Sequence, residues 1–230
     1  MRVAFIGPVG SGKSTQAQRL SWMMPFYNRL PRLSTGDLVR ARIEARTPLG
    51  ERIEGYYRAG ELVPDGIVMD LLVPHVRTAG GFALDHFPAN AAQAEAQAEA
   101  LDDELGERSA GPLHHVISLE GPTDDELVER VLSGRVHGRA TDFVYHLTND
   151  PPPKAAERLD PGPFVRREDD TEGVLRRRLG AYRREHALLK ERYRERGVLR
   201  TVDARRSLDG VAQDVLDALG NPEGLRYYVS

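Results

Sequence analysis

Short apolar runs alternate along the chain with longer stretches in which apolar residues recur every three or four positions. The short runs are typical of buried strands, and the periodic stretches are typical of amphipathic helices. The predicted strands cover residues 3–6, 80–85, 115–119 and 199–202. The predicted helices begin after Lys13, at Asp65, Thr123 and Asp170, and at Ser207, and a solvated helix covers residues 89–105. This alternation predicts an α/β fold, a three-layer sandwich around a parallel sheet.

Two stretches interrupt the alternation, and we call them the first insert (residues 34–63) and the second insert (residues 135–170). The first insert is predicted to form short, charged helices, which are typical of an addition to a core. The second insert consists of short polar pieces around Pro151, Pro152 and Pro153, and it exceeds an ordinary connection. We interpret it as a lid or binding loop. Residues 1–33, 64–134 and 171–220 then form the core domain, followed by a tail at 221–230.

The stretch after the first predicted strand carries the strongest chemical signal. From Gly7 it reads G-P-V-G-S-G-K-S, which matches the phosphate-loop pattern G-x-x-x-x-G-K-[ST]. Glycines leave room for backbone N–H groups around phosphate oxygens, and the start of the following helix adds positive partial charge. Lys13 can reach the outer phosphates, and the Ser14 hydroxyl can face Mg²⁺. The alternative is a glycine-rich turn with a surface lysine, but the strand-then-helix context favours the phosphate loop.

Asp85 ends the second predicted strand. In a parallel sheet the ligand lies beyond the carboxyl ends of the strands, so Asp85 is expected beside the phosphate loop. There it could hold Mg²⁺ through water. The alternative is an ordinary aspartate in a loop.

Composition narrows the functional class. The 230 residues, 40% of them hydrophobic, suit one globular unit. The net charge of −3 does not suggest a nucleic-acid binder, and the absence of cysteine excludes disulfides and cysteine-based zinc sites. No apolar run could span a bilayer, and Met1 leads directly into a strand without a signal-peptide pattern. We therefore expect a cytoplasmic protein that binds neither nucleic acid nor membranes.

Several motifs, taken in order, resemble the adenylate kinases of the nucleoside monophosphate kinase family. They are G-P-V-G-S-G-K-S-T-Q-A from Gly7, L-S-T-G-D-L-V-R from Leu33, G-E-L-V-P-D from Gly60, G-F-A-L-D-H-F-P from Gly81, S-G-R-V-H from Ser133, V-Y-H from Val144, R-R-E-D-D from Arg166 and R-R-R-L-G-A-Y from Arg176. The resemblance covers residues 2–220. It implies a P-loop core, a monophosphate-binding first insert and a lid formed by the second insert. It also implies phosphoryl transfer from Mg-ATP to AMP, giving two ADP, and we expect a monomer.

The resemblance also implies roles for individual residues. ATP would be bound by Gly10, Ser11, Gly12, Lys13, Ser14, Thr15, Arg135, Val144, Tyr145 and Arg206. AMP would be bound by Thr35, Arg40, Glu61, Leu62, Val63, Gln93, Arg167 and Arg178. The catalytic residues would be Lys13, Asp85, Arg135, Arg167 and Arg178, and Mg²⁺ would face Ser14 and Asp85 through water. Phosphoryl transfer requires alignment and positive charge, and the arginine fork pairs with phosphate oxygens two at a time.

The chain departs from the family pattern at the acceptor site and in the lid. The family has an arginine after the F-P of its G-F-P-R motif, where this chain has Ala89, and His86 replaces the glycine. Losing one such contact could slow transfer about a hundredfold, although a protonated His86 would restore part of the charge. A nucleotide-binding protein without transfer activity, or a kinase for another small phosphate acceptor, therefore remains an alternative. Without zinc, the lid would depend on hydrogen bonds among polar residues such as His137, Thr141 and Asp160.

Overall fold

The computed structural model describes residues 1–23, 30–59, 61, 63–88, 90, 113–139, 141, 143–152 and 162–220. Apart from Asn90, the predicted helix at 89–105 lies outside these residues, as does the tail at 221–230.

The described residues form eight strands and seven helices. The strands are β1 (Arg2–Ile6), β2 (Arg32–Ser34), β3 (Phe82–Asp85), β4 (His115–Glu120), β5 (Arg135–Gly138), β6 (Val144–His146), β7 (Phe164–Val165) and β8 (Leu199–Asp203). The helices are α1 (Lys13–Met23), α2 (Thr35–Glu44), α3 (Pro48–Ala59), α4 (Asp65–Thr78), α5 (Asp124–Leu132), α6 (Glu172–Glu195) and α7 (Leu208–Ala218). No helix in the described part of the chain is long and apolar enough to cross a membrane.

A five-stranded parallel sheet with the order β2-β3-β1-β4-β8 forms the centre of the fold. Successive side chains of a strand point to opposite faces. Val3 and Phe5 of β1 therefore join an apolar cluster with α1 and α7, whereas Ala4 and Ile6 join a second cluster with α4 and α6. These two clusters confirm the predicted three-layer sandwich. Strand β2 was not predicted, since its three residues follow directly after Pro31.

Helix α6 confirms the longest predicted helix, with slightly shorter bounds. The prediction placed its ends at Asp170 and Gly197. The structure instead shows Thr171 as the N-cap, whose side chain accepts a hydrogen bond from the backbone N–H of Val174. Gly197, with φ +70°, lies just beyond the last turn. A glycine takes this left-handed conformation without steric cost.

The first insert contains α2 and α3. The Ser34 side chain caps α2 by accepting a hydrogen bond of 3.2 Å from the backbone N–H of Asp37. Ile53 of α3 is fully buried in a cluster that also contains Leu71 of α4, so the insert packs directly on a core helix. Gly50 permits close packing of α2 and α3, because a Cβ there would lie 2.1 Å from the carbonyl oxygen of Arg42.

The second insert contains an antiparallel sheet with the order β6-β5-β7, where the sequence had indicated only short polar pieces. Val136 pairs with Tyr145 across β5 and β6. The Tyr145 ring meets the ring of Phe164 edge-on, with centroids 5.3 Å apart. These strands have four residues or fewer, and a small cluster of apolar side chains holds them together.

Candidate active site

A cavity of about 560 Å³ opens at the carboxyl ends of β1, β2, β3 and β8, and both inserts contribute to its wall. The predicted site residues that line it are Gly10, Ser11, Gly12, Lys13, Ser14, Thr15, Thr35, Arg40, Glu61, Val63, Asp85, Arg135, Val144, Tyr145, Arg167, Arg178 and Arg206. Leu62 and Gln93 lie outside the described residues, as does Ala89. The structure thus brings together every predicted site residue that it describes.

The phosphate loop connects β1 to α1 and depends on its glycines. Gly10 has φ +81°, and a Cβ there would lie 2.7 Å from the carbonyl oxygen of Leu127. Within the loop, Lys13 Nζ donates hydrogen bonds of 2.7 Å to the carbonyl oxygens of Gly7 and Pro8. The lysine side chain is therefore folded back over the loop.

Lys13 is buried, with 6% of its surface exposed. Burial lowers its pKa to about 8; Asp85 counteracts this effect, and the positive charge of Arg135 adds to it. A negatively charged ligand beside Lys13 would restore the stability of its charged form.

Asp85 lies at the end of β3 and is 1% exposed. Burial disfavours its carboxylate, but the positive charge of Arg32, 3.2 Å away, and that of Lys13 outweigh this effect and hold its pKa below the usual range. The nearby Ser14 hydroxyl lowers the pKa further. Asp85 Oδ1 is buried and has no hydrogen-bond partner among the described residues. The pair Ser14 and Asp85 therefore offers oxygen atoms of the kind that Mg²⁺ prefers.

Positive charge is concentrated where the two inserts meet. Burial, together with the neighbouring charges of Arg40 and Arg135, lowers the pKa of Arg167 to about 10. The pKa of His137 on β5 is also lowered, first by burial and then by Arg167 and Arg135. This part of the cavity therefore favours anions.

Ion pairs with carboxylates hold three of the arginines that line the cavity. The ion pairs are Arg40 with Asp37, Arg135 with Asp170, and Arg178 with Asp169. The Arg178–Asp169 pair measures 2.7 Å, with 7% of the carboxylate side chain exposed. Such pairs fix the arginine forks before a ligand arrives and so reduce the entropic cost of binding.

His86 also lines the cavity. Its ring is open to the cavity, yet the surrounding protein reduces its hydration. This loss of hydration, together with Lys13, lowers its pKa to about 3 despite the opposing effect of Asp85. The lowered pKa favours the neutral imidazole at pH 7 and so speaks against the expectation that a protonated His86 restores part of the arginine's charge.

Helix α1 positions the strand that carries Val144 and Tyr145. The Gln18 side chain accepts a hydrogen bond of 3.0 Å from the backbone N–H of Val144. The next residue, Arg19, forms ion pairs of 3.0 Å with Asp150 and 2.7 Å with Asp209. The wall of the cavity at β6 is therefore fixed to the helix that begins at the phosphate loop.

The sequence interpretation missed several residues of the cavity wall. Arg130 of α5, Tyr57 of α3 and Asn149 also line it. Arg130 donates a hydrogen bond of 3.2 Å to the carbonyl oxygen of Ala204, just after β8. Nothing in the sequence marks Arg130 as a site residue, because it belongs to no motif. It comes close to Ala204 and to the cavity only when the chain is folded.

A phosphate loop at the carboxyl end of a central parallel strand, facing a cleft lined with arginines, defines a P-loop protein that handles nucleotide phosphates. Comparison with known proteins narrows this class. The family model described as Adenylate kinase matches residues 5–198. The chain is 37% identical to the adenylate kinase of Streptomyces coelicolor, over 95% of this chain and 98% of that protein. It is 38% identical to that of Salinibacter ruber (95% and 99%) and 39% identical to that of Moorella thermoacetica (96% and 98%). The chain therefore belongs to the adenylate kinase family and is a phosphotransferase of the nucleoside monophosphate kinase class.

Proposed function

We propose that this protein binds Mg-ATP and AMP end to end in the cavity between its inserts and transfers the terminal phosphoryl group to give two ADP. The observation that carries this proposal is the convergence of Lys13 with Arg40, Arg135, Arg167 and Arg178 on one cavity. These cations come from the phosphate loop, both inserts and α6. Family membership supports the same reaction.

The electrostatics of the cavity favour two polyanionic ligands. Burial and then the like charges of Arg40 and Arg135 lower the pKa of Arg167, so phosphate groups placed among these arginines would relieve their mutual repulsion. In a loose transition state, negative charge is spread over the equatorial oxygens of the transferring group. Preorganised arginine forks can stabilise that charge without reorganising.

The positions of the described residues suggest a donor side and an acceptor side. The phosphate loop and Lys13 would hold the ATP phosphates, with Val144, Tyr145 and Arg206 towards the nucleoside. The first insert would hold AMP through Thr35, Arg40, Glu61 and Val63. For Leu62, as a further AMP contact, and for Gln93, as the reader of the base, the proposal rests on the family resemblance alone. Arg135, Arg167 and Arg178 would lie along the phosphates between the two nucleotides.

In the transfer step, an oxygen of the AMP phosphate would bond to the γ-phosphorus as the bond to the β–γ bridging oxygen breaks. The displaced ADP takes the negative charge of that oxygen. No general base is required, because the attacking phosphate oxygen is already ionised. The second insert would act as a lid that excludes water and so prevents hydrolysis of ATP.

Ser14 and Asp85 would hold Mg²⁺ with the nucleotide, since both lie beside Lys13 at the phosphate loop and Asp85 has an unpartnered buried oxygen. Mg²⁺ would neutralise part of the charge on the ATP phosphates. Among the described residues, no group of three or more His, Cys, Asp or Glu side chains could hold a metal on its own. The ion would therefore arrive with the nucleotide. A cytoplasmic location and a monomeric state belong to this proposal as expectations.

A panel of nucleoside monophosphates with Mg-ATP and coupled detection of ADP tests the proposal. We expect turnover with AMP in the wild-type protein and a gain in Ala89→Arg, which restores the family's arginine. Lys13→Met serves as the control that removes the phosphate-loop cation and should abolish turnover. The absence of turnover above background with every acceptor would refute the kinase proposal, and a gain confined to another acceptor would refute the choice of AMP.

A further inference from the structure

Two neighbouring tyrosines on α3 have different surroundings. Tyr56 is 38% exposed, whereas Tyr57 is half-buried and lines the cavity. The sequence motifs assigned no role to either residue. Their positions one residue apart on a helix place them on different faces, so only one of them can contact the site.

Tyr57 connects the two arginines that face the acceptor end of the cavity. Its hydroxyl accepts a hydrogen bond of 3.5 Å from the Arg40 guanidinium. Burial disfavours the Asp169 carboxylate, but Arg178 and, to a smaller extent, the nearby Tyr57 hydroxyl lower its pKa. The guanidinium carbon of Arg178 lies 5.2 Å from the centre of the Tyr57 ring. A guanidinium over the face of an aromatic ring is stabilised in that orientation.

We propose that Tyr57 is a positioning residue for the acceptor phosphate and that it sets the directions of the Arg40 and Arg178 forks. This inference rests on the proposed function, in which both arginines contact AMP. Asp169 holds Arg178 from one side at 2.7 Å, and the Tyr57 ring supports it from another. One side chain of the first insert thereby connects to Arg178 on α6 and to Asp169 just before that helix.

A merely structural role for Tyr57 would give a different result. If the side chain only packed the first insert, its loss would lower thermal stability and weaken ATP and AMP binding together. A positioning role affects AMP selectively, because the phosphate loop binds ATP through residues that Tyr57 does not contact.

Titration calorimetry with AMP and, separately, with ATP tests this directly, since it measures binding without turnover. Tyr57→Phe keeps the ring and removes the hydroxyl; we expect about a three- to tenfold weaker AMP affinity, as for the loss of one ordinary hydrogen bond. Tyr57→Leu also removes the ring and should weaken AMP further. ATP affinity should stay within about twofold in both variants.

Tyr56→Phe is the matched control, because it removes the same hydroxyl from the neighbouring exposed position; its AMP affinity should equal that of the wild type. Unchanged AMP affinity in Tyr57→Phe, or equal losses for AMP and ATP, would overturn the proposal. A failure of the proposed function would appear separately, as a wild-type protein that binds nucleotides and produces no ADP. If Tyr57→Leu does not fold, Tyr57→Phe alone decides the outcome.

Discussion

Asp37 in the first insert balances the charges of three arginines. Its carboxylate lies 2.8 Å from Arg32, forms an ion pair with Arg40, and lies 4.0 Å from Arg167. Asp37→Asn keeps the volume and removes the negative charge. We expect this variant to be less stable than the wild type and to regain stability when anions are added.

The size of the expected stability loss follows from the burial of Asp37 and its arginine partners. Removing one member of a buried ion pair typically costs about 3–5 kcal/mol, because the other charge stays buried and uncompensated. Here the Asp37 side chain is 22% exposed, and Arg32 keeps its second partner, Asp85. We therefore expect a loss of about 1–3 kcal/mol, which for a chain of this size lowers Tm by about 2–10 °C.

Thermal unfolding followed by circular dichroism, with and without inorganic phosphate, measures both effects. Phosphate should raise the Tm of Asp37→Asn by more than that of the wild type, because the variant leaves more positive charge for the anion to neutralise. The control is Asp125→Asn, whose carboxylate is 84% exposed and pairs with Arg176 at the surface, so its Tm should barely change. Equal Tm values for Asp37→Asn and the wild type, or equal shifts with phosphate, would refute this reasoning.

Two further predictions concern the phosphate loop and Glu120, at the carboxyl end of β4. Gly10→Ala should be much less stable than Gly12→Ala in urea unfolding. Both glycines have positive φ, but of the two only Gly10 has backbone close to an added Cβ, with the Leu127 carbonyl oxygen 2.7 Å away. Equal losses of stability in the two variants would contradict this steric argument. Glu120 has a pKa lowered to about 2, chiefly by His186, whose Nε2 lies 3.6 Å from the carboxylate, and also by Lys190 and Ser118. Because the folded-state value lies below the ordinary one, the ionised carboxylate stabilises the fold above about pH 4.5 and loses this effect as the pH falls. The stability of Glu120→Gln should therefore fall less steeply than that of the wild type between about pH 5 and pH 3, and identical slopes would rule out this assignment.

Long periodic stretches and capping residues predicted the core well. Strand β1, the two faces of the sheet and the cap at Ser207 follow from local patterns that the folded chain retains. The strands of the second insert did not follow from such patterns. A two-residue strand such as β7 has no alternation to detect; its pairing with β5 and the contact of Phe164 with Tyr145 arise only in the folded chain.

The site residues that could be predicted are those that belong to a recognisable motif or to the ordered set of family motifs. Lys13 and Asp85 were expected from the phosphate loop and from the end of a strand. The roles of the arginines came from the family resemblance. Tyr56 and Tyr57 are the same residue type in adjacent positions, so only their packing in the folded chain distinguishes them. The neutral state of His86 likewise depends on the charges that the fold places around it.

The hydrogen bond from the Val144 N–H to Gln18 has a mechanical consequence. Helix α1 starts at the phosphate loop and, about one and a half turns further on, holds strand β6 through this bond. Under the proposed function these two points face the phosphates and the nucleoside of the same donor nucleotide. One rigid helix would therefore set the distance between the two contacts.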